Sequence, residues 1–293
     1  MLHPDINKTN KNKIFLYLFM KFYIIPSPIG NLDDVTFRSI NILKELDFLV
    51  VENLQITDIL LKKYKINIKK NLTYNDKSTE RVRVQILNHL KNGRIGGIIS
   101  DAGTPLISDP GYKLIKKLKA NNIQIVPLPG PSAVISSLVG SGLPTSKFQF
   151  VGFFPRGEKK SKQFVLDILE YNGTTIFFES PKRIKRTLEV FFKPYQKSLT
   201  FCIAKEISKI HESFFLGSYY DVMESLSKSK STLKGEFVVL VYAVQETQLY
   251  HNSDELYSIL IKKLQFKTTI EIISKLTNIG KNELYKRYLA FDD

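Results

Sequence analysis

Ile95-Gly96-Gly97-Ile98-Ile99-Ser100-Asp101-Ala102-Gly103-Thr104-Pro105 sets an apolar run of strand length directly against a loop of small and polar residues. A short apolar run closed by turn residues reads as a buried strand, so Ser100–Pro105 falls at a strand's C-terminal end. Ligands of open α/β sheets bind there. Ala102 and Gly103 let backbone groups approach a ligand closely, and Asp101 can accept hydrogen bonds from an amine or a hydroxyl. The same stretch also suits an ordinary strand-to-helix turn, with Ser108-Asp109-Pro110 capping the next helix. Local chemistry leaves both readings open.

Outward from this loop the pattern repeats. Apolar runs at Phe22–Ile25, Phe48–Val51, Ile95–Ile99 and Gln124–Val126 alternate with helical spacing at Val35–Leu46, Ile56–Lys63, Tyr112–Ala120 and Ala133–Val139. Strand–helix alternation of this kind predicts a largely parallel sheet with helices on its faces. Asp33 and Asp34 stand where an N-cap belongs, and Ser78 precedes a charged helix over Thr79–Asn92. Two further Gly/Pro loops, Pro26–Asn31 and Pro127–Ser132, follow strands and would line the same sheet edge. No Gly-x-Gly-x-x-Gly and no Gly-Lys-Ser/Thr loop follows a strand, which counts against a dinucleotide or nucleoside triphosphate site.

After Gly142-Leu143-Pro144 a second set of strands is expected at Phe148–Val151, Thr174–Phe178, Leu199–Ala204, Ser213–Leu216 and Glu236–Val244, with helices at Phe164–Leu169 and Ile184–Phe192. Directly adjacent strands around Ile207–Glu212 predict a mixed sheet. Short helical patterns at Glu255–Leu264, Ile270–Leu276 and Lys281–Leu289 complete the chain, either as a docking helix pair or as a helix-turn-helix presenting Lys281, Lys286 and Arg287. The expected division is a poorly ordered extension over 1–19, an α/β domain over 20–141, a second over 142–245, and a small helical domain over 246–293. The run Ile14–Met20 lacks a small-residue cleavage site and is too short to span a bilayer, so no signal peptide and no membrane partner is expected.

The chain of 293 residues carries a formal net charge of +15, which favours polyanionic partners, nucleic acid before acidic lipid, although a basic surface is often only a solvated one. Cys202 is the only cysteine, so no internal disulfide forms, and a reducing, cytoplasmic setting fits. The four histidines have no neighbours at ligand spacing, and no metal is expected.

Tyr23–Leu32, Ser100–Gly111 and Pro127–Ser132 occur in an order and spacing that resembles the ribosomal RNA small subunit methyltransferase I family, within the tetrapyrrole methylase-like superfamily. The resemblance runs from Phe22 through Gly152-Phe153-Phe154-Pro155, Phe177–Arg183, Ala204-Lys205-Glu206 and Lys234-Gly235-Glu236 to Lys281–Tyr285. It implies two α/β domains of the tetrapyrrole methylase type, with S-adenosylmethionine in the cleft between them and a small helical tail. It also implies a homodimer, and 2′-O-methylation of a cytidine in 16S-type small-subunit ribosomal RNA, free or in the assembled subunit. Porphyrin and diphthine branches of the superfamily carry a Gly-Asp-Pro loop where this chain has Ser-Asp-Ala-Gly-Thr-Pro.

By resemblance the cofactor contacts Pro28, Ile29, Gly30, Ser100, Asp101, Ala102, Gly103, Thr104, Ser132 and Ala133, with Gly235 closing from the second domain. Glu52, Lys205 and Glu206 are the catalytic candidates. Arg156, Lys159, Lys160, Lys182 and Arg183 are the RNA-binding candidates, in a segment from Pro155 to Thr200 with ten Lys or Arg against five Asp or Glu. One departure stands out: Glu52-Asn53-Leu54-Gln55 replaces the family's Glu-Asp-Thr-Arg, and Lys205 stands where the family has Arg. A relative that docks on RNA without methylating it, or a small-molecule methyltransferase of the same fold, is the alternative reading.

Overall fold

The computed structural model describes residues 20–75, 77–228, 235–243, 246–277 and 279–289, with 246–252 as backbone alone. The expected extension over 1–19, and Lys234, lie outside the described residues. Five strands, β1 (Lys21–Ile25), β2 (Phe48–Val51), β3 (Asn71–Thr73), β4 (Gly96–Ile99) and β5 (Gln124–Pro127), form a first sheet in the order β3-β2-β4-β1-β5. Every pair in it is parallel. Parallel strands need crossovers, and these are α1 (Phe37–Glu45), α2 (Leu54–Lys63), α3 (Glu80–Lys91) and α4 (Tyr112–Lys119). Leu43, Leu60 and Leu61 cover one face of the sheet, and Ile86, Leu90, Leu114 and Leu118 cover the other. Burial on both faces explains why β2 is apolar at every position.

Two caps differ from expectation. Thr36, not Asp33 or Asp34, is the N-cap of α1: its Oγ1 accepts from Ser39 N at 3.1 Å, while the two aspartates lie in a 3-10 turn one step earlier. Ser78 also gives way, to Thr79, and uses its Oγ to accept from Asn75 N. Both segments begin with a local turn, which moves the helix start downstream of the first suitable side chain.

A second sheet has the order β6-β7-β10-β8-β9, from β6 (Phe148–Phe153), β7 (Thr174–Glu179), β8 (Leu199–Lys205), β9 (Ser213–Gly217) and β10 (Phe237–Ala243). It is mixed: β6 and β7 are parallel, and the other pairs are antiparallel. One face packs on α6 (Glu158–Glu170), α7 (Ile184–Thr187, continued to Phe192) and α8 (Tyr219–Ser227). The other face packs on α5 (Ala133–Gly140), whose Val134 and Leu138 join Ile176, Cys202 and Leu240 in one apolar cluster. The helix that follows the first sheet thus serves as the floor of the second, and the two sheets meet through it. α6 starts at Glu158, so Lys159 and Lys160 are helical.

Three terminal helices, α9 (Glu246–Leu260), α10 (Phe266–Thr277) and α11 (Lys281–Tyr288), close around Tyr257, Ile270, Ile273 and Tyr288, with the Tyr257 and Tyr288 rings stacked at 4.1 Å. Arg287 makes a two-pronged contact to Asp254 at 2.7 and 3.0 Å, and Lys281 pairs with Glu271. Two of the three basic residues considered for nucleic acid therefore hold the tail together instead.

Candidate functional site

The loops after β1, β4 and β5 are tied into one surface by their own polar groups. Ser27 and Gly103 exchange backbone hydrogen bonds at 2.9 and 3.0 Å. Ser27 Oγ donates to Ser100 O, Ser100 Oγ donates to Gly103 O, and Thr104 Oγ1 donates to Pro131 O. A buried loop must satisfy its backbone locally, and the Ser and Thr hydroxyls do so here. Opposite this surface stand the end of β7 and the start of β10.

Between them lies a cavity of about 410 Å³, within the range of about 300–1,000 Å³ usual for small-molecule sites. Its first wall includes Ile29, Ala102, Gly103, Thr104, Ser132 and Ala133, and its second wall includes Gly235. These are seven of the eleven residues expected to hold the cofactor. Pro28, Gly30, Ser100 and Asp101 are not on the wall. Ser132 also caps α5, accepting from Ile135 N, which leaves that helix N-terminus at the cavity.

Asp101 has a bracing role. Its Oδ1 accepts from Asn53 N at 3.1 Å, and Asn53 Oδ1 in turn accepts from Gln55 N as the N-cap of α2. An asparagine cap does what an aspartate would do there, so the departure at Asn53 leaves this loop geometry intact. The residue that the sequence reading passed over is Asp109. The turn reading left open for Ser108-Asp109-Pro110 would have it cap the next helix, yet the N-cap of α4 is Gly111 with no side-chain cap, and Asp109 lines the cavity. Burial, the neighbouring Glu52 charge and Asp101 push its carboxyl up to about 6, against a hydrogen bond from Ser100 that lowers it. Such a carboxylate loses and takes up its proton near neutral pH.

Of the three catalytic candidates, Glu52 acts on the site through Asp109, while Lys205 and Glu206 are not on the cavity wall. Burial raises the Glu206 carboxyl, but bonds from Lys209 Nζ and Glu236 N outweigh it and hold the group below the usual range. Glu206 anchors the loop 206–212, which reaches from the second sheet to the loop after β1. Asn31 N donates to Ser208 Oγ at 3.2 Å, and Ser208 Oγ donates to Asp34 Oδ2. Gly30 sits under this loop: a Cβ there would fall 2.4 Å from Lys209 Cγ and 3.1 Å from Ile207 O. Gly30→Ala is accordingly expected to lower stability by about 1–3 kcal/mol through overpacking. Calorimetric unfolding measures it, and an unchanged transition would mean that the loop is not seated on Gly30 in solution.

Among the RNA-binding candidates, Arg156, Lys159, Lys160 and Lys182 are exposed. Arg183 is engaged: its Nη2 donates to Pro155 O at 2.7 Å and lies 3.4 Å from Glu179 Oε2. Its guanidinium thus braces this strand end while remaining one-third exposed. Among the described residues no group of three or more His, Cys, Asp or Glu is placed to hold a metal, and no helix is long and apolar enough to cross a membrane.

The cavity fits S-adenosylmethionine on its own features. Ile29, Val134, Phe178 and Val238 offer apolar surface, Gly235 is exposed, and the acidic Asp109 and Glu236 in the lining suit a cationic sulfonium.

The family model for tetrapyrrole (corrin/porphyrin) methylases matches residues 21–222. A protein of a Hydrogenobaculum species named ribosomal RNA small subunit methyltransferase I is 42% identical over 236 residues, covering 80% of this chain and all of that one. One of the same name from Buchnera aphidicola is 35% identical, covering 90% of this chain and 94% of its own. Among solved structures, a diphthine synthase aligns with a TM-score of 0.59 at 10% identity, over 76% of this chain and 90% of that one. A cobalt precorrin-4 methyltransferase aligns with a TM-score of 0.57 at 16% identity, over 77% and 96%. Those two likenesses speak to the fold.

Proposed function

Because the chain belongs to the ribosomal RNA small subunit methyltransferase I family, we propose that it methylates the ribose 2′-hydroxyl of a cytidine in 16S-type small-subunit ribosomal RNA, using S-adenosylmethionine. The observation that carries the reading is the pairing, in one interdomain cavity, of a cofactor-sized space with Asp109.

The cofactor, when bound, supplies an electrophilic methyl group on a sulfonium. A ribose hydroxyl is a poor nucleophile and needs a proton acceptor as its oxygen becomes an ether. Asp109 fills that role in this reading, because its carboxyl, pushed up to about 6, is both ionised at neutral pH and basic enough to take a proton. Burial first, then the Glu52 and Asp101 charges, make it that basic, and Asp101 also fixes the loop through Asn53 N. Ile29, Gly103, Ser132 and Gly235 hold the cofactor. Exposed Arg156, Lys159, Lys160 and Lys182 take RNA phosphates beside the cleft.

The proposal includes a homodimer and a cytoplasmic setting. Ile135 and Val139 on the outer side of α5, and Leu216 beside Gly142, leave apolar surface that a second copy would cover. A non-catalytic RNA binder fits less well, since the altered segment after β2 still caps α2 and braces Asp101.

Radiolabelled S-adenosylmethionine with small subunits lacking native ribose methylation is the test. Label on the 2′-oxygen of one cytidine is the expected result. Tight cofactor binding with no label on the subunit would sink the reading.

A further inference from the structure

Phe153 is 64% exposed, and the register of β6 explains why. Phe150 stands opposite Ile176 on β7 and Phe153 opposite Phe178, so Val151 and Gly152 together face Phe177. That extra residue is a β-bulge, and Gly152 has a φ of 76°, which favours glycine. Side chains alternate along a strand, so one inserted residue reverses their phase. Phe150 and Phe153 consequently both meet Phe178, with ring centroids 4.9 and 5.3 Å away. Phe154 turns to the other face and is buried against Phe164 and Phe177. Without the bulge, Phe154 would share the face of Phe150 and Phe153 would not.

The bulge therefore puts an aromatic ring on the wall of the cavity that Asp109 also lines. Phe178 meets that ring at 65° and does not stack on it. Arg156, Lys159 and Lys160 are exposed a few residues further along. An exposed ring flanked by cations is the combination by which proteins hold an unstacked nucleobase and its phosphates. A ribose that reaches Asp109 inside the cleft must bring its base out of the RNA stack.

We propose that Phe153 is the stacking platform for the base of the acceptor nucleotide, extruded into the cleft, with the cations around the start of α6 on the flanking phosphates. This rests on the methyltransferase reading above. The test uses small subunits carrying a fluorescent cytosine analogue at the nucleotide that the wild-type protein labels. Wild-type protein and Phe153→Trp are expected to quench it on binding, and Phe153→Ala is not. Phe153→Ala is also expected to raise KM for small subunits by about 10- to 100-fold while leaving the Kd for S-adenosylmethionine unchanged. Persistent quenching in Phe153→Ala would overturn the proposal. So would a loss of cofactor affinity as large as the change in KM, since the ring would then be a wall of the cofactor site. Failure of the wild-type protein to methylate small subunits, measured first, would overturn the function and the platform together.

Discussion

Asp109→Asn is expected to lower methyl transfer by about 10²- to 10⁴-fold, the usual share of a general base, while S-adenosylmethionine still binds. Asparagine keeps the shape and can still accept from Ser100, but it cannot take a proton from the ribose hydroxyl. The pH dependence gives an independent check. With a carboxyl pushed up to about 6, wild-type kcat/KM should rise with pH below about 6 and level off above it, and the variant should lack that inflection. Stability runs the other way. The folded state holds this proton more tightly than the unfolded chain, whose ordinary value is 3.8. Its stabilising contribution is full below about pH 4 and is lost as pH rises through about 6. At pH 7.5 the carboxylate is a burden that Asn removes, so the variant should unfold at a higher temperature than wild type. A variant both inactive and less stable would show Asp109 to be structural.

The contrast between the two aspartates of this loop marks what the sequence could disclose. Asp101 comes two residues after the end of β4, and simple strand logic favours it as the ligand-facing acid. The chain then passes through Leu106 and Ser108 with φ of 75° and 64°, and this fold-back brings the later Asp109 to the cavity. Neither angle is written in a residue type that requires it, since both positions lack glycine. The strand–helix alternation, by contrast, was legible because burial on both faces makes β2 and its neighbours continuously apolar. β3 escaped notice: Asn71–Thr73 is three residues long at a sheet edge, with no fully buried position. Family resemblance located Ala102 to Thr104, Ser132, Ala133 and Gly235 on the wall, but it could not separate wall from scaffold. Gly30 belongs to the scaffold because the loop between β8 and β9, 177 residues or more along the chain, needs its missing Cβ.

Arg183 offers the second large effect, and it separates a brace from a phosphate contact. Glu179 is 2% exposed at its side chain; Oε1 accepts from Ser180 N and Oε2 from Thr187 Oγ1, each at 2.7 Å, with the Arg183 guanidinium 3.4 Å away. The same guanidinium satisfies the carbonyls of Phe154 and Pro155, and so pins the strand end that carries Phe153. Arg183→Ala would leave a buried carboxylate without its cation, remove the guanidinium donor from Phe154 O, and leave Pro155 O with only the Ser161 hydroxyl. The expected loss is about 3 kcal/mol, below the full figure for a buried pair because Arg183 is one-third exposed. It should appear as a fall of several degrees in the unfolding temperature. Small-subunit binding should weaken as well, yet the slope of log affinity against log salt should hold, since no phosphate contact is removed. Lys182→Ala, one residue away and exposed, should do the reverse, reducing that slope by nearly one unit at unchanged stability. A reduced slope in Arg183→Ala with full stability would return Arg183 to the RNA surface, and the loop bearing Phe153 would then need another support.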